Sequence, residues 1–251
     1  MNMHFNLSPL LLILLLGFAQ CNTSQKDHQT NDSSQTIMKD STPSSSNTHH
    51  RHEDHNQANK HMHKRSFEDL VKSFESEDRA KWQKPAEVIK KLGNLQDKKV
   101  MDIGSGTGYF SFRLVDQGAQ VIAADVNEQF QHYIKQQKEK KNLTDNQIVT
   151  RKVPYDSPNL QANEVDYALI VNTYHHVEDR VAYFKKVWAG LKPGGKLLVV
   201  DFKKEETPSG PPLRMRLTAE EVKKELTEAG FTNFSTDAAL LPYQYIVLAS
   251  K

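Results

Sequence analysis

The stretch VMDIGSGTGYF, Val100 to Phe110, decides how the rest of the chain reads. Lys99–Ile103 has the apolar density of a short buried strand, and Tyr109–Gln117 the periodicity of an amphipathic helix that Gly118 ends. Between them stand Gly104, Gly106 and Gly108. Glycines at a strand-to-helix turn adopt backbone angles closed to other residues and let the main chain approach a ligand. The helix's amino end adds N–H donors and partial positive charge. The segment therefore reads as a loop that holds a nucleotide-like ligand.

Working outward, the same alternation repeats. Phe67–Phe74 is apolar at helical intervals, and Pro85 opens a helix that stops at Gly93. After the loop come a strand at Gln120–Asp125, a helix at Glu128–Lys140, and strands at Gln147–Val153 and Val165–Asn172. A helix over Val181–Leu191 turns through Lys192-Pro-Gly-Gly195 into a strand at Lys196–Phe202. Thr218 caps a further helix, with Glu221 three residues on completing a capping box. Two last strands lie near Thr232–Asp237 and Gln244–Ala249. Strands alternating with helices imply right-handed crossovers and a doubly wound α/β sheet, Rossmann-like in character. The short link between the last two strands predicts an antiparallel hairpin at one edge.

Glycine spacing narrows the ligand. The pattern is G-x-G-x-G, not the G-x-G-x-x-G of dinucleotide turns, which counts against an NAD-dependent oxidoreductase. Asp102 precedes the first glycine by two residues, and Asp125 closes the second strand where a carboxylate would accept ribose hydroxyls. In order, Asp102-Ile-Gly-Ser-Gly-Thr-Gly108, Ala124-Asp125, Val165-Asp166 and Leu191-Lys-Pro-Gly-Gly195 resemble the successive motifs of class I S-adenosylmethionine-dependent methyltransferases. The resemblance runs from about Phe67 to the C-terminus. Trp82–Pro85 and Leu241–Tyr245 further resemble a branch of small bacterial methyltransferase-domain proteins.

The resemblance implies a seven-stranded, mostly parallel sheet whose last strand is antiparallel, and S-adenosyl-L-methionine as cofactor. By position it places Gly104, Gly106 and Gly108 against the cofactor's amino-acid and ribose portions, with Asp102 near its amino group. Asp125 would take the ribose hydroxyls, Val126 would line the adenine, and Asp156 would lie near the adenine amine. Strand ends carry the ligands in such sheets. Asn172 therefore falls at the cofactor, His175 and His176 are candidate proton acceptors, and Asp201 is a candidate for positioning substrate. No Asn-Pro-Pro-Tyr type tetrapeptide follows the fourth strand, and the one cysteine, Cys21, lies far from the motifs. Those features, with a formal net charge of only +2, count against nucleic acid as partner. A small-molecule or lipid-like acceptor is the expectation.

The amino-terminal quarter is of another character. Leu10–Leu16 is an unbroken apolar run, too short to span a bilayer but suited to a signal peptide over residues 1–20. Cys21 follows and resembles the lipid-acceptor cysteine of bacterial lipoproteins, although Gln20 stands where a small residue is usual. Residues 21–65 are polar and poor in large apolar side chains, the composition of a flexible tether before a domain at 66–251. The tether holds His49, His50, His52, His55, His61 and His63, with Glu53 and Asp54 nearby, a set able to bind a transition metal. Two functions are thus expected: an exported, membrane-anchored methyltransferase, or an exported metal-binding lipoprotein that keeps a cofactor-binding fold. A cytoplasmic enzyme is the alternative location.

Overall fold

The computed structural model describes residues 65–251. Cys21 and the histidines from His49 to His63 lie outside them.

Seven strands form one sheet: β1 (Lys99–Ile103), β2 (Gln120–Asp125), β3 (Ile148–Lys152), β4 (Val165–Val171), β5 (Leu191–Phe202), β6 (Thr232–Asp237) and β7 (Gln244–Ser250). Their order is β3-β2-β1-β4-β5-β7-β6. The first five run parallel, and β7 is antiparallel to both β5 and β6. The expected terminal hairpin is present. Its second strand inserts beside β5 and leaves β6, polar in sequence, as the outer edge. A polar edge strand suits that position because it discourages pairing with other chains.

Side chains alternate across the sheet, so each central strand feeds two cores. Met101, Ile103, Ala168, Ile170, Leu197 and Val199 pack on one face. That face is covered by α6 (Arg180–Gly190) and α7 (Ala219–Glu228) through Phe184, Val187, Val222 and Leu226. Val100, Val121, Leu169, Leu198 and Val200 point to the other face. There they meet α3 (Pro85–Lys90), α4 (Tyr109–Asp116) and α5 (Glu128–Lys140). Two further helices, α1 (Phe67–Phe74) and α2 (Glu77–Gln83), precede these.

Two elements depart from the sequence reading. Helix α2 was not expected, because seven residues of EDRAKWQ carry too little apolar periodicity to announce a helix. Strand β5 begins at Leu191 and carries Lys192-Pro-Gly-Gly195 within it as a bulge, since Val165 pairs with Leu191 but Tyr167 with Lys196. Gly194 takes a φ of +74° there.

Beyond β4 the chain makes a single 3-10 turn, Tyr174–His176, that carries the candidate histidines. A buried polar network sets this turn on its helices. The Tyr174 hydroxyl donates to Glu225 Oε2 at 3.0 Å, and its ring stacks on Phe184 at 4.7 Å. Arg180 donates from Nε to Glu225 Oε2 at 2.6 Å and from Nη2 to Oε1 at 2.9 Å. Its Nη1 reaches back to the Val177 carbonyl at 3.0 Å. The Arg180 and Glu225 side chains are only 4% and 12% exposed, so neither charge can return to water if the other is removed. Breaking a buried pair in this way costs about 3–5 kcal/mol. Glu225→Ala should therefore lower the unfolding free energy by about 3–5 kcal/mol in urea titration. A loss below about 1 kcal/mol, the level of a surface pair, would contradict this role.

Candidate functional site

The glycine loop leaves β1 and crosses the end of β2. Backbone N–H groups of Gly104 and Ser105 both donate to the Ala124 carbonyl, at 2.9 and 3.0 Å. Gly104 has a φ of +70°, and a Cβ there would stand 2.4 Å from Thr173 Cγ2. The loop and the end of β4 therefore meet so closely that only glycine fits. Gly108, at φ +83°, ends the loop and starts α4. Asp125 closes the arrangement. Its Oδ2 accepts from Gly106 N at 2.9 Å and its Oδ1 from Asn127 N at 2.8 Å. Burial raises its pKa, against the pull of the Asn127, Gly106 and Val126 N–H groups.

On the opposite side of the loop, β4 delivers Asn172, Thr173 and the histidine turn. His175 is buried, and its Nδ1 lies 2.9 Å from both oxygens of Asp201 at the end of β5. Asp201 also accepts from the backbone N–H of His175 at 3.2 Å and of Phe202 at 2.8 Å. Burial pushes this carboxyl up, but the His175 ring and those N–H groups outweigh it and hold the pKa below the ordinary carboxylate value. Asp201 is thus ionised and aligns the imidazole. The His176 ring lies tilted against His175, with ring centres 4.3 Å apart.

Two segments cover this rim. From α1, Phe74 stacks on Phe130 at 5.6 Å and would meet a Cβ on Gly106 at 3.3 Å. From α2 come Arg79 and Trp82, the latter 5.8 Å from the Phe202 ring and 5.9 Å from Tyr243. The second cover is the loop after β5, which Arg216 staples. Its guanidinium donates to the carbonyls of Pro211, Lys203 and Glu205 and to the Thr207 hydroxyl.

Together these walls enclose a cavity of about 500 Å³. Of the residues expected at the site, Gly104, Gly106, Asp125, Val126, Asn172, His175 and His176 line it. Gly108, Asp102 and Asp201 support those residues from outside the lining. Asp102 does not reach the cavity: it is buried and accepts from the Ser111 hydroxyl at 2.6 Å. Asp156 lies outside the lining. Its side chain is 81% exposed and lies 3.7 Å from Lys186, while Pro154 and Tyr155 of the same loop line the cavity in its place. Sequence reasoning missed Arg79, which carries no motif; Gln83 and Gln244 fall within the Trp82–Pro85 and Leu241–Tyr245 stretches, but nothing in those stretches announced that the two side chains meet.

The residues fit an adenosyl amino acid. Asp125 uses two acceptor positions on backbone N–H groups and keeps others for ribose hydroxyls, since a carboxylate offers about four. The Ser105 hydroxyl, in the lining, has no hydrogen-bond partner among the described residues.

Buried Asp102 makes a pH prediction. Burial, aided by the nearby Asp125 charge, raises its pKa from 3.8 to about 6, with Ser111 and Arg79 opposing. Its contribution favours folding fully below pH 3.8 and is lost as pH rises through about 6. Asp102→Asn removes that titration. Relative to the parent, the variant should gain stability between about pH 4 and pH 7, by up to about 3 kcal/mol in urea unfolding at stepped pH. A difference that stays flat across this range would contradict the assignment.

Comparison with known proteins agrees with this geometry. Residues 101–199 match the sequence family described as a methyltransferase domain. The tRNA 5-carboxymethoxyuridine methyltransferase of Escherichia coli K12 is 27% identical over 146 residues, covering 54% of this chain and 56% of that protein. The ubiquinone/menaquinone biosynthesis C-methyltransferase UbiE of Shewanella woodyi is 36% identical over 125 residues, covering 46% and 47%. This chain thus spans about half the length of the curated relatives it matches. Among solved structures, a SAM-dependent methyltransferase from Aquifex aeolicus superposes with a TM-score of 0.68 at 24% identity, over 74% of this chain and 98% of that one. Over residues 101–199 the chain is thus similar to a methyltransferase domain, and its fold is that of the Aquifex aeolicus structure.

Proposed function

We propose that this chain transfers a methyl group to a small-molecule or lipid-like acceptor whose reacting atom carries an ionisable proton. One observation carries the reading: His175, aligned from behind by Asp201, lines the same cavity as the glycine loop and Asp125. The bound donor supplies a methyl group on a sulfonium, open to in-line displacement.

The chain's part is orientation, exclusion of water and proton removal. Asp125 would hold the ribose, and Val126 would pack beside the base. Nδ1 of His175 is committed to Asp201, so proton uptake from the acceptor falls to Nε2. Trp82, Val177, Phe202, Pro211 and Met215 give the histidine side of the cavity an apolar wall. The two curated relatives are named for different kinds of acceptor, a tRNA nucleoside and a quinone precursor pathway, so neither supplies this chain's acceptor.

The reading extends to location. Cys21, directly after an apolar run, is proposed as the site of a lipid anchor that holds the enzyme at the cell envelope. Cys21→Ala should release the protein from the membrane fraction; a variant that stays bound would overturn the anchor.

For the chemistry, calorimetric titration of the full chain with S-adenosylhomocysteine should show binding, which Asp125→Ala abolishes or weakens strongly. No binding by the parent chain would sink the enzyme reading. His175→Gln should keep that binding and lose turnover by about 100-fold or more once an acceptor is in hand. Unchanged turnover would remove His175 from the chemistry.

A further inference from the structure

Among the described residues, Tyr155 and Leu213 are the large hydrophobic side chains left exposed, at 53% and 36%. Both stand at the mouth of the cavity. Tyr155 lines it, and so do Pro212 before Leu213 and Met215 after it. Tyr155 follows β3 and Leu213 follows β5, so both rise from the same end of the parallel strands. In the order β3-β2-β1-β4-β5 those two strands are four spacings apart, about 19 Å, on opposite sides of the opening. A single exposed hydrophobic side chain needs no explanation, but here they are confined to one rim.

The Leu213 side is built to keep its shape. Pro208-Ser-Gly-Pro-Pro-Leu213 holds six residues without a charge, and Pro208, Ser209, Gly210, Pro212 and Leu213 are exposed. Its prolines limit the conformational freedom that such a loop would lose on binding. Below the tip Arg216 is buried, its guanidinium spent on the Pro211, Lys203 and Glu205 carbonyls and the Thr207 hydroxyl. The same guanidinium lies 5.3 Å from the centre of the Phe202 ring. Gly210 rests on that ring too, since a Cβ there would stand 2.6 Å from Phe202 Cδ1. The result is a stiff uncharged tip with Arg214 exposed beside Leu213. Across the opening, Pro154 and Tyr155 are exposed together.

These groups match the layers of a bilayer surface. Leucine enters the acyl boundary, tyrosine sits at headgroup level with its hydroxyl toward water, and an arginine beside them suits phosphate. Chain connectivity agrees. The segment that leads from Cys21 enters the described domain at Arg65, which also lines the cavity. A lipid anchor at Cys21 therefore leads to the mouth and not to the far end of the sheet. Trp82, Val177, Phe202 and Met215 carry the apolar character inward from the tip toward His175. We propose that this mouth docks on a lipid bilayer, with Leu213 and Tyr155 in the interface, and draws the end of a membrane lipid into the cavity as acceptor. The docking surface deepens the methyl-transfer reading above and rests on it for the acceptor.

The test places one environment-sensitive fluorophore on the full chain carrying Cys21→Ala, through Leu213→Cys, Tyr155→Cys or Glu228→Cys. Glu228 is exposed and ends α7 at the opposite end of the sheet, which makes it the control. Docking by two side chains is weak without an anchor, so vesicles of phosphatidylethanolamine and phosphatidylglycerol are supplied in excess. The labels at 213 and 155 should shift to the blue and be quenched by lipid-borne quenchers, while the label at 228 stays unchanged. Leu213→Asp in the chain labelled at 155 should remove most of that shift, and Leu213→Asp alone should leave S-adenosylhomocysteine binding unchanged. Labels at 213 and 155 that do not respond, a label at 228 that responds equally, or a shift at 155 that survives Leu213→Asp would overturn the docking surface. A chain that docks but does not bind S-adenosylhomocysteine would overturn the methyl-transfer reading and the lipid's role as acceptor, and leave the docking standing.

Discussion

The carboxylate of Asp125, closed on the backbone N–H groups of Gly106 and Asn127, is the contact on which the site depends. It ties the loop after β1 to the end of β2 and to the start of α5. A buried carboxylate is costly unless its oxygens are hydrogen-bonded, and here the backbone supplies donors that no substitution short of proline removes. The loop can take this path because Gly104 adopts a positive φ and leaves no Cβ to strike Thr173. One side of the cavity is thereby fixed by main chain.

The other side is built from side chains held by buried charge. Asp201 aligns His175, while Tyr174 and Arg180, converging on Glu225, seat the turn that carries it. The histidine turn thus rests on helices of the opposite sheet face from α4 and α5. Such a network is expensive to disturb, because each charge depends on a partner that lies on another element. Function and stability meet in these few residues.

Much of this was readable from the chain. Strands β1 and β2 and helix α5 fall on the ranges inferred from apolar runs, because buried parallel strands and a long amphipathic helix have strong local patterns. Asp125's place beside the loop was legible because it follows from a spacing to the glycines. Asp156 stands outside the lining, 3.7 Å from Lys186, while Tyr155 of the same loop lines the cavity; a loop residue's direction is set by tertiary contacts that a local sequence pattern does not record. Helix α2 was silent, being short and polar, and with it went Arg79. A hydrogen-bonded line from Arg79 to Asn172 passes through Gln83 and Gln244, which stand 161 positions apart. No local pattern records such a pairing. The histidine-rich stretch and Cys21 stand apart, outside the described residues.

A crystal structure of the chain grown with S-adenosylhomocysteine tests the central claim most directly. The account predicts density for the nucleoside between Asp125 and Val126, with both ribose hydroxyls on the Asp125 carboxylate and the amino-acid end crossing the glycine loop toward Asn172. A cavity that stays without the ligand at saturating concentration, or a nucleoside bound away from Asp125, would contradict it.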